Sequence, residues 1–186
     1  MRKVIMFNMV TLDGYFEGPN HDIDWHRTDE EFNDFSIEQI KTADSILFGR
    51  VTYQLMASYW PTPDAFANDP EIAGSMNSTP KFVFSRTLDQ ASWSKSTLIK
   101  GDAVEGVAKL KQQAGKDMLL FGSANLAADL TAHRLIDEYR LMVNPVVIGN
   151  GTPLFKEVKE QLNLKLLKSR AFGNGNVLLY YQPDQG

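Results

Sequence analysis

Three short apolar blocks stand out along the chain: Lys3 to Val10 (KVIMFNMV), Ser45 to Phe48 (SILF) and Asp117 to Phe121 (DMLLF). Runs of this length without polar alternation predict strands buried on both faces, as in the middle of a parallel sheet. Lys81 to Ser85 (KFVFS) predicts another strand, and Ala91 to Lys100 one or two short ones. Glu138 to Ile148 predicts a longer strand in which Pro145 implies a bend or an edge. Between these blocks the apolar spacing becomes helical. Thr28 or Asp29 is placed to cap a helix running to about Thr42, with Phe32, Phe35 and Ile40 roughly on one face. Arg50 to Ser58 predicts a second helix, and Pro61, Pro63 and Pro70 divide the next stretch into loop plus one short helix. Asp102-x-x-Glu105 has capping-box form ahead of Val104, Val107, Leu110 and Ala114, and Gly115 stands where that helix stops. Ser123 is placed to cap a last helix to about His133. Leu162 to Phe172, the turn Gly173 to Asn176, and Val177 to Gln182 predict a closing β-hairpin.

Strands alternating with helices and closed by a hairpin predict an α/β domain spanning residues 1–186. Its sheet is mostly parallel with an antiparallel C-terminal edge, and helices cover both faces. The length of 186 residues, with 43% hydrophobic and 23% charged positions, is enough for one real core. Nineteen Lys and Arg against 23 Asp and Glu leave a net charge of −4, which lacks the basic footprint of a nucleic-acid binder. Without cysteine there is no disulfide, thiolate metal site or cysteine nucleophile. No stretch approaches the roughly 20 apolar residues a membrane helix needs, and Met1 to Val10 has no signal-peptide cleavage pattern. The expectation is a cytoplasmic protein with no membrane partner.

Two junctions share one design, a buried strand followed by glycine and a helix: Phe48-Gly49-Arg50-x-Thr52 and Phe121-Gly122-Ser123-Ala124. A helix N-terminus offers unpaired N–H groups and a partial positive charge, and glycine lets a phosphate approach the backbone. Arg50 adds a cation and Thr52 a hydroxyl. The alternative is that both glycines only permit tight turns. Ser85-Arg86, directly after a strand, suits a ribose 2′-phosphate, or else is a solvated loop end. His21, Asp22, Asp24 and His26 are a superficial metal set, but a loop segment supplies no convergent geometry, and no metal site is assigned. No Gly-x-Ser-x-Gly elbow is present.

These pieces, in order, resemble the dihydrofolate reductase-like superfamily, and in particular bacterial proteins similar to the C-terminal reductase domain of the riboflavin-pathway deaminase-reductase. The resemblance rests on Met9 to Tyr15 (MVTLDGY), Leu47 to Tyr53 (LFGRVTY), Phe82 to Leu88 (FVFSRTL), Phe121 to Leu126 (FGSANL), Asn144 to Phe155 (NPVVIGNGTPLF) and the closing hairpin. It implies a sheet of about eight strands, NADPH stretched across the strand ends, a small heterocyclic substrate such as a pteridine or a ribosylamino-pyrimidine, and commonly a homodimer. Carried over, Gly49, Arg50, Thr52, Gly122, Ser123 and Ala124 would hold cofactor phosphate. Ser85 and Arg86 would meet the 2′-phosphate, and Met9, Val10 and the Asp13-Gly14 loop would border the nicotinamide. The acid of the first helix falls at Glu30 or Glu31, with Asp34 a turn further; a carboxyl facing an apolar cleft would have a raised pKa and could supply a proton. The folate enzymes' threonine partner is Met142 here, and the riboflavin-pathway acid is Phe121. A domain that keeps the cofactor site without catalysis is the alternative reading.

Overall fold

The computed structural model describes residues 1–184. Its centre is β1 (Val4–Thr11), in which every side chain except Phe7 is buried. The remaining strands are β2 (Tyr15–Glu17), β3 (Ala43–Gly49), β4 (Lys81–Phe84), β5 (Ser96–Ile99), β6 (Asp117–Phe121), β7 (Glu138–Asn144), β8 (Thr152–Pro153), β9 (Leu164–Ala171) and β10 (Val177–Pro183). The helices are α1 (Glu30–Lys41), α2 (Arg50–Tyr59), α3 (Pro63–Asn68), α4 (Pro70–Ser78), α5 (Ala103–Gln112) and α6 (Ala124–Ala132). Eight strands form one sheet in the order β5-β4-β3-β6-β1-β7-β10-β9, while β2 and β8 pair separately. All neighbours in the large sheet are parallel except β7 with β10 and β10 with β9. The mostly parallel α/β sheet with an antiparallel C-terminal edge is therefore as expected.

Alternation along each strand divides the core. Val4, Met6 and Val10 of β1 face Val107 and Leu110 of α5 and Leu126 and Leu130 of α6. Ile5 faces the other side, where Ile40 of α1, Tyr53 of α2 and Ile72 and Met76 of α4 pack on Ile46, Phe48 and Leu119. Met9, on that same side, joins Phe35, Met142, Phe172 and Leu178. Burial on both faces is what makes these strands read as unbroken apolar runs.

Two details differ from expectation. The proline-rich stretch holds two helices, α3 and α4, each with proline in its first turn, where a missing N–H costs nothing. β7 stops at Asn144, and it is not an edge strand, because β1 and β10 flank it; Pro145 has no amide to continue the ladder. Ala91 to Lys100 contains one strand, β5, as expected of a segment read as one or two short strands. The small β2–β8 pair had no apolar signature to announce it.

Candidate functional site

Register decides where a ligand can enter. β1 pairs with β6 as far as Phe7↔Phe121, but with β7 as far as Thr11↔Asn144. β6 turns away at Gly122, so β1 runs on from Asn8 to Thr11 with a strand on one side only. β3 ends level with β6, since Leu47 is opposite Leu120 two residues before Gly49 and Gly122. The result is a crevice with two glycine junctions as its floor and the free edge of β1 as its wall. The chain leaves β1 and β6 in opposite directions here, which is where open α/β sheets bind ligands.

The two junctions interlock. A methyl group on Gly49 would collide with the Ser123 side chain, and one on Gly122 would lie 2.6 Å from Thr52 Oγ1. Thr52 is buried and its hydroxyl accepts a hydrogen bond from Ser123 N at 2.9 Å. Gly122 and Ser123 both have positive φ, 60° and 56°. For Ser123 this left-handed conformation carries about 1 kcal/mol of strain. Ser123 therefore does not cap α6 with its side chain, contrary to expectation; it is turned so that its amide meets Thr52. Both glycines are explained by this mutual packing, and Thr52 ties the floor together from beneath.

What the interlock leaves open is the helix starts. Asp29 caps α1 by accepting from Phe32 N, and Asp102 caps α5 by accepting from Glu105 N, each at 2.9 Å. Both helices also carry glutamate in the first turn. α2 and α6, which start at the crevice, have no side-chain cap and no acidic residue in the first turn. Their first N–H groups and positive dipole ends remain available to an anion.

Basic side chains gather at the same edge. Gly49 is level with Phe84, and Phe84 with Ile99, so Arg50, Arg86 and Lys100 emerge together from adjacent strands. All three are exposed. Arg50 Nη1 donates to Gln54 Oε1 at 3.1 Å. Ser85 Oγ accepts from the amides of Thr87 and Leu88 at 3.2 and 3.0 Å, which holds the turn presenting Arg86. Lys100 was missed in the sequence because it follows a weak strand; only the register places it beside Arg86.

On the other side, Met9 and Val10 are buried and offer the crevice their backbone edge. Asp13 Oδ2 accepts from Gly149 N at 2.8 Å, and Leu12 N donates to Val146 O at 2.8 Å. Asp13, with Gly14 behind it at φ 86°, thus straps the loop after β1 to the loop after β7. Hydrogen bonds from Thr11 and then from the amides of Gly149 and Ile148 hold its carboxyl below the usual carboxylate range. Partly exposed Phe7, Phe32 and Phe121 form an aromatic face on the α1 side, with Phe7 and Phe121 edge to face at 6.1 Å.

The carboxylates of α1 do not behave as the resemblance implied. Glu30 is exposed. Glu31 accepts from Gly173 N at 2.8 Å and from Arg170 Nη2 at 2.9 Å. The Gly173 amide first, then Arg170, lower its pKa rather than raise it. Glu31 pins α1 to the β9–β10 turn as an ionised group. Nor do the loop histidines assemble a metal site: His21 pairs with Glu17, and no metal-competent cluster occurs among the described residues.

The architecture is that of the dihydrofolate reductase-like α/β proteins. It superimposes on dihydrofolate reductase from Enterococcus faecalis complexed with NADP(H), with a TM-score of 0.66 and 14% identity over 98% of this chain and 97% of that one. A putative riboflavin biosynthesis protein from Shewanella sp. PV-4 matches with a TM-score of 0.77 and 23% identity over 98% and 99% of the two chains. Likenesses at these identities speak to the fold. The model of the RibD C-terminal domain family matches residues 2–178, and the chain belongs to that family. The uncharacterized protein YyaP of Bacillus subtilis (strain 168) is 38% identical over 182 residues, covering 97% of this chain and 94% of that protein. No helix among the described residues is long and apolar enough to cross a membrane.

Proposed function

We propose that this chain is an NADPH-dependent reductase of a small nitrogen heterocycle of the pteridine or ribosylamino-pyrimidine type. The observation that carries this reading is the pair of helix starts, α2 and α6, that face one crevice without cap or acid while α1 and α5 are capped. Two bare N-termini side by side suit a diphosphate. Gly49, Arg50, Gly122, Ser123 and Ala124 would line it, with Thr52 holding the two turns in place. Arg86, with Ser85 shaping its turn and Lys100 alongside, suits a 2′-phosphate and so selects NADPH over NADH. The free edge of β1 at Met9 and Val10, with the Asp13-Gly14 loop, would border the nicotinamide. When bound, the cofactor supplies hydride. The chain's part is to hold both rings against the aromatic face of Phe7, Phe32 and Phe121 and to exclude water.

The test is a fluorescence titration with NADPH and with NADH. Saturable binding that prefers NADPH is expected, and Arg86→Ala should weaken NADPH while sparing NADH. Absence of NADPH binding would end this reading. A cofactor-binding domain without catalysis is the second reading, favoured by the engagement of Glu31 and Asp13 in structural hydrogen bonds. Oxidation of NADPH by any pteridine or pyrimidine would exclude it. The homodimer that the family resemblance implies has a candidate face in exposed Leu55 and Tyr59, one turn apart along α2; sedimentation of the protein measures it.

A further inference from the structure

The dipeptide Asn-Gly occurs at Asn150-Gly151 and again at Asn174-Gly175. It is the pair in which an asparagine side chain is most open to attack by the next backbone nitrogen. Glycine puts no side chain in the way and lets the backbone take the angle that attack requires. The fold treats the two pairs in opposite ways.

Asn174 lies in the β9–β10 turn with its reacting groups engaged. Its Nδ2 donates to Arg27 O at 3.4 Å, and its Oδ1 accepts from Asn176 N at 3.0 Å. Gly175 N, the atom that would attack, donates to Phe172 O at 3.0 Å. Arg27 Nη1 holds the Asn174 carbonyl from outside at 3.3 Å. Asn150, in the loop after β7, is exposed, and neither its side chain nor Gly151 N has a hydrogen-bond partner among the described residues. The chain on either side of it is fixed. Gly149 N donates to Asp13 Oδ2 at 2.8 Å, and Thr152 pairs with Glu17 in the β2–β8 ladder. Gly151 packs so closely on Glu17 that an added Cβ would collide with its carbonyl oxygen.

We propose that Asn150 is a site of spontaneous covalent modification, and that its conversion loosens the strap between the loops after β1 and β7. Gly151 N gives its proton to solvent and forms a bond to Asn150 Cγ. The Cγ–Nδ2 bond breaks, and Nδ2 takes a proton from water and leaves as ammonia. Water then opens the resulting succinimide at one of its two carbonyls, with no change of oxidation state. Opening at one carbonyl leaves an aspartyl residue; opening at the other leaves an isoaspartyl link with an extra methylene in the main chain. Either product places a carboxylate one residue from Gly149, where it repels the ionised Asp13 that the Gly149 amide holds. The isoaspartyl link also lengthens the chain between two points that the fold fixes.

The experiment ages the folded parent chain in mildly alkaline buffer, beside a sample unfolded in urea, and follows two tryptic peptides by mass spectrometry. Leu141 to Lys156 contains Asn150, and its other asparagine, Asn144, precedes a proline that has no N–H to attack with. Ala171 to Gly186 contains Asn174. In the folded chain the first peptide should convert at least about tenfold faster than the second, the scale of one hydrogen bond that must open first. In urea the two Asn-Gly pairs should convert at similar rates, because the difference belongs to the fold. Converted chain, separated by its added charge on an anion-exchange column, should exchange the Gly149 amide at least about tenfold faster than fresh chain. Equal conversion of the two peptides in the folded chain, faster conversion of the second, or an intact Asn150 where the unfolded chain reacts would overturn the assignment. Unchanged exchange at Gly149 after conversion would overturn the loosening of the strap.

Discussion

Helices α1 and α5 begin under their own aspartates; α2 and α6 begin bare. All four follow ordinary rules of helix formation, and an unsatisfied N-terminus costs any of them the same few hydrogen bonds. The capped pair is complete as it stands. The bare pair opens onto one crevice and is spliced through Thr52 and Ser123, so that neither start can move without the other. The lesson is that an empty cap is informative by position: two of them converge where β6 and β3 end and β1 continues.

The comparison can be broken most severely at its splice. Gly122→Val would place a branched side chain against Thr52 at φ 60°, a clash combined with backbone strain. A loss of about 3 kcal/mol or more in unfolding free energy is expected, read by urea denaturation, together with loss of NADPH binding. A sharper test fills a bare start. Val51, 54% exposed in the first turn of α2, can be changed to Asp. That carboxylate should stabilise the free protein by about 0.5 kcal/mol through the helix dipole while weakening NADPH at least about tenfold by repelling its phosphates. Stability and affinity would then move in opposite directions, and a calorimetric melt with a cofactor titration checks both. The converse change, Asp29→Ala, should cost about 1 kcal/mol in a denaturant melt and leave NADPH affinity untouched, because α1 is already complete.

The smallest effect concerns pH. Glu31 and Asp13 both have folded pKa values below their ordinary 4.5 and 3.8. Their stabilisation is therefore complete above the ordinary values and is lost as pH falls through the lower folded ones. Thermal melts between pH 6 and pH 3 should show Glu31→Gln and Asp13→Asn falling less steeply than the parent chain. A parent chain no more acid-sensitive than these variants would mean that neither carboxylate is held as described.

Much of the fold was legible because its strands are buried on both faces. The blocks KVIMFNMV and DMLLF became β1 and β6 within a residue, and Asp29 and Asp102 became the caps their positions suggested. The two strand-glycine-helix junctions were also legible as junctions, while their mutual packing through Thr52 and Ser123 was not. Glu31 was not. The resemblance implied an acid in an apolar cleft, but its pKa depends on Gly173 and Arg170, roughly 140 residues away in sequence. His26 appeared as a loop histidine among acids, and only the fold turned its Nε2 inward.

The local pattern alone determined most of the strands and helices of the large sheet, where their helices start, and that two of them start at glycine. Those outcomes depend on neighbours within about a turn, through hydrogen bonds and burial periodicity that a linear reading can follow. The tertiary structure alone decided that the two glycines exclude each other's side chains, that Arg50, Arg86 and Lys100 share an edge, and that the carboxylate of α1 is engaged. These are facts of register and long-range contact, and each depends on which strand lies beside which.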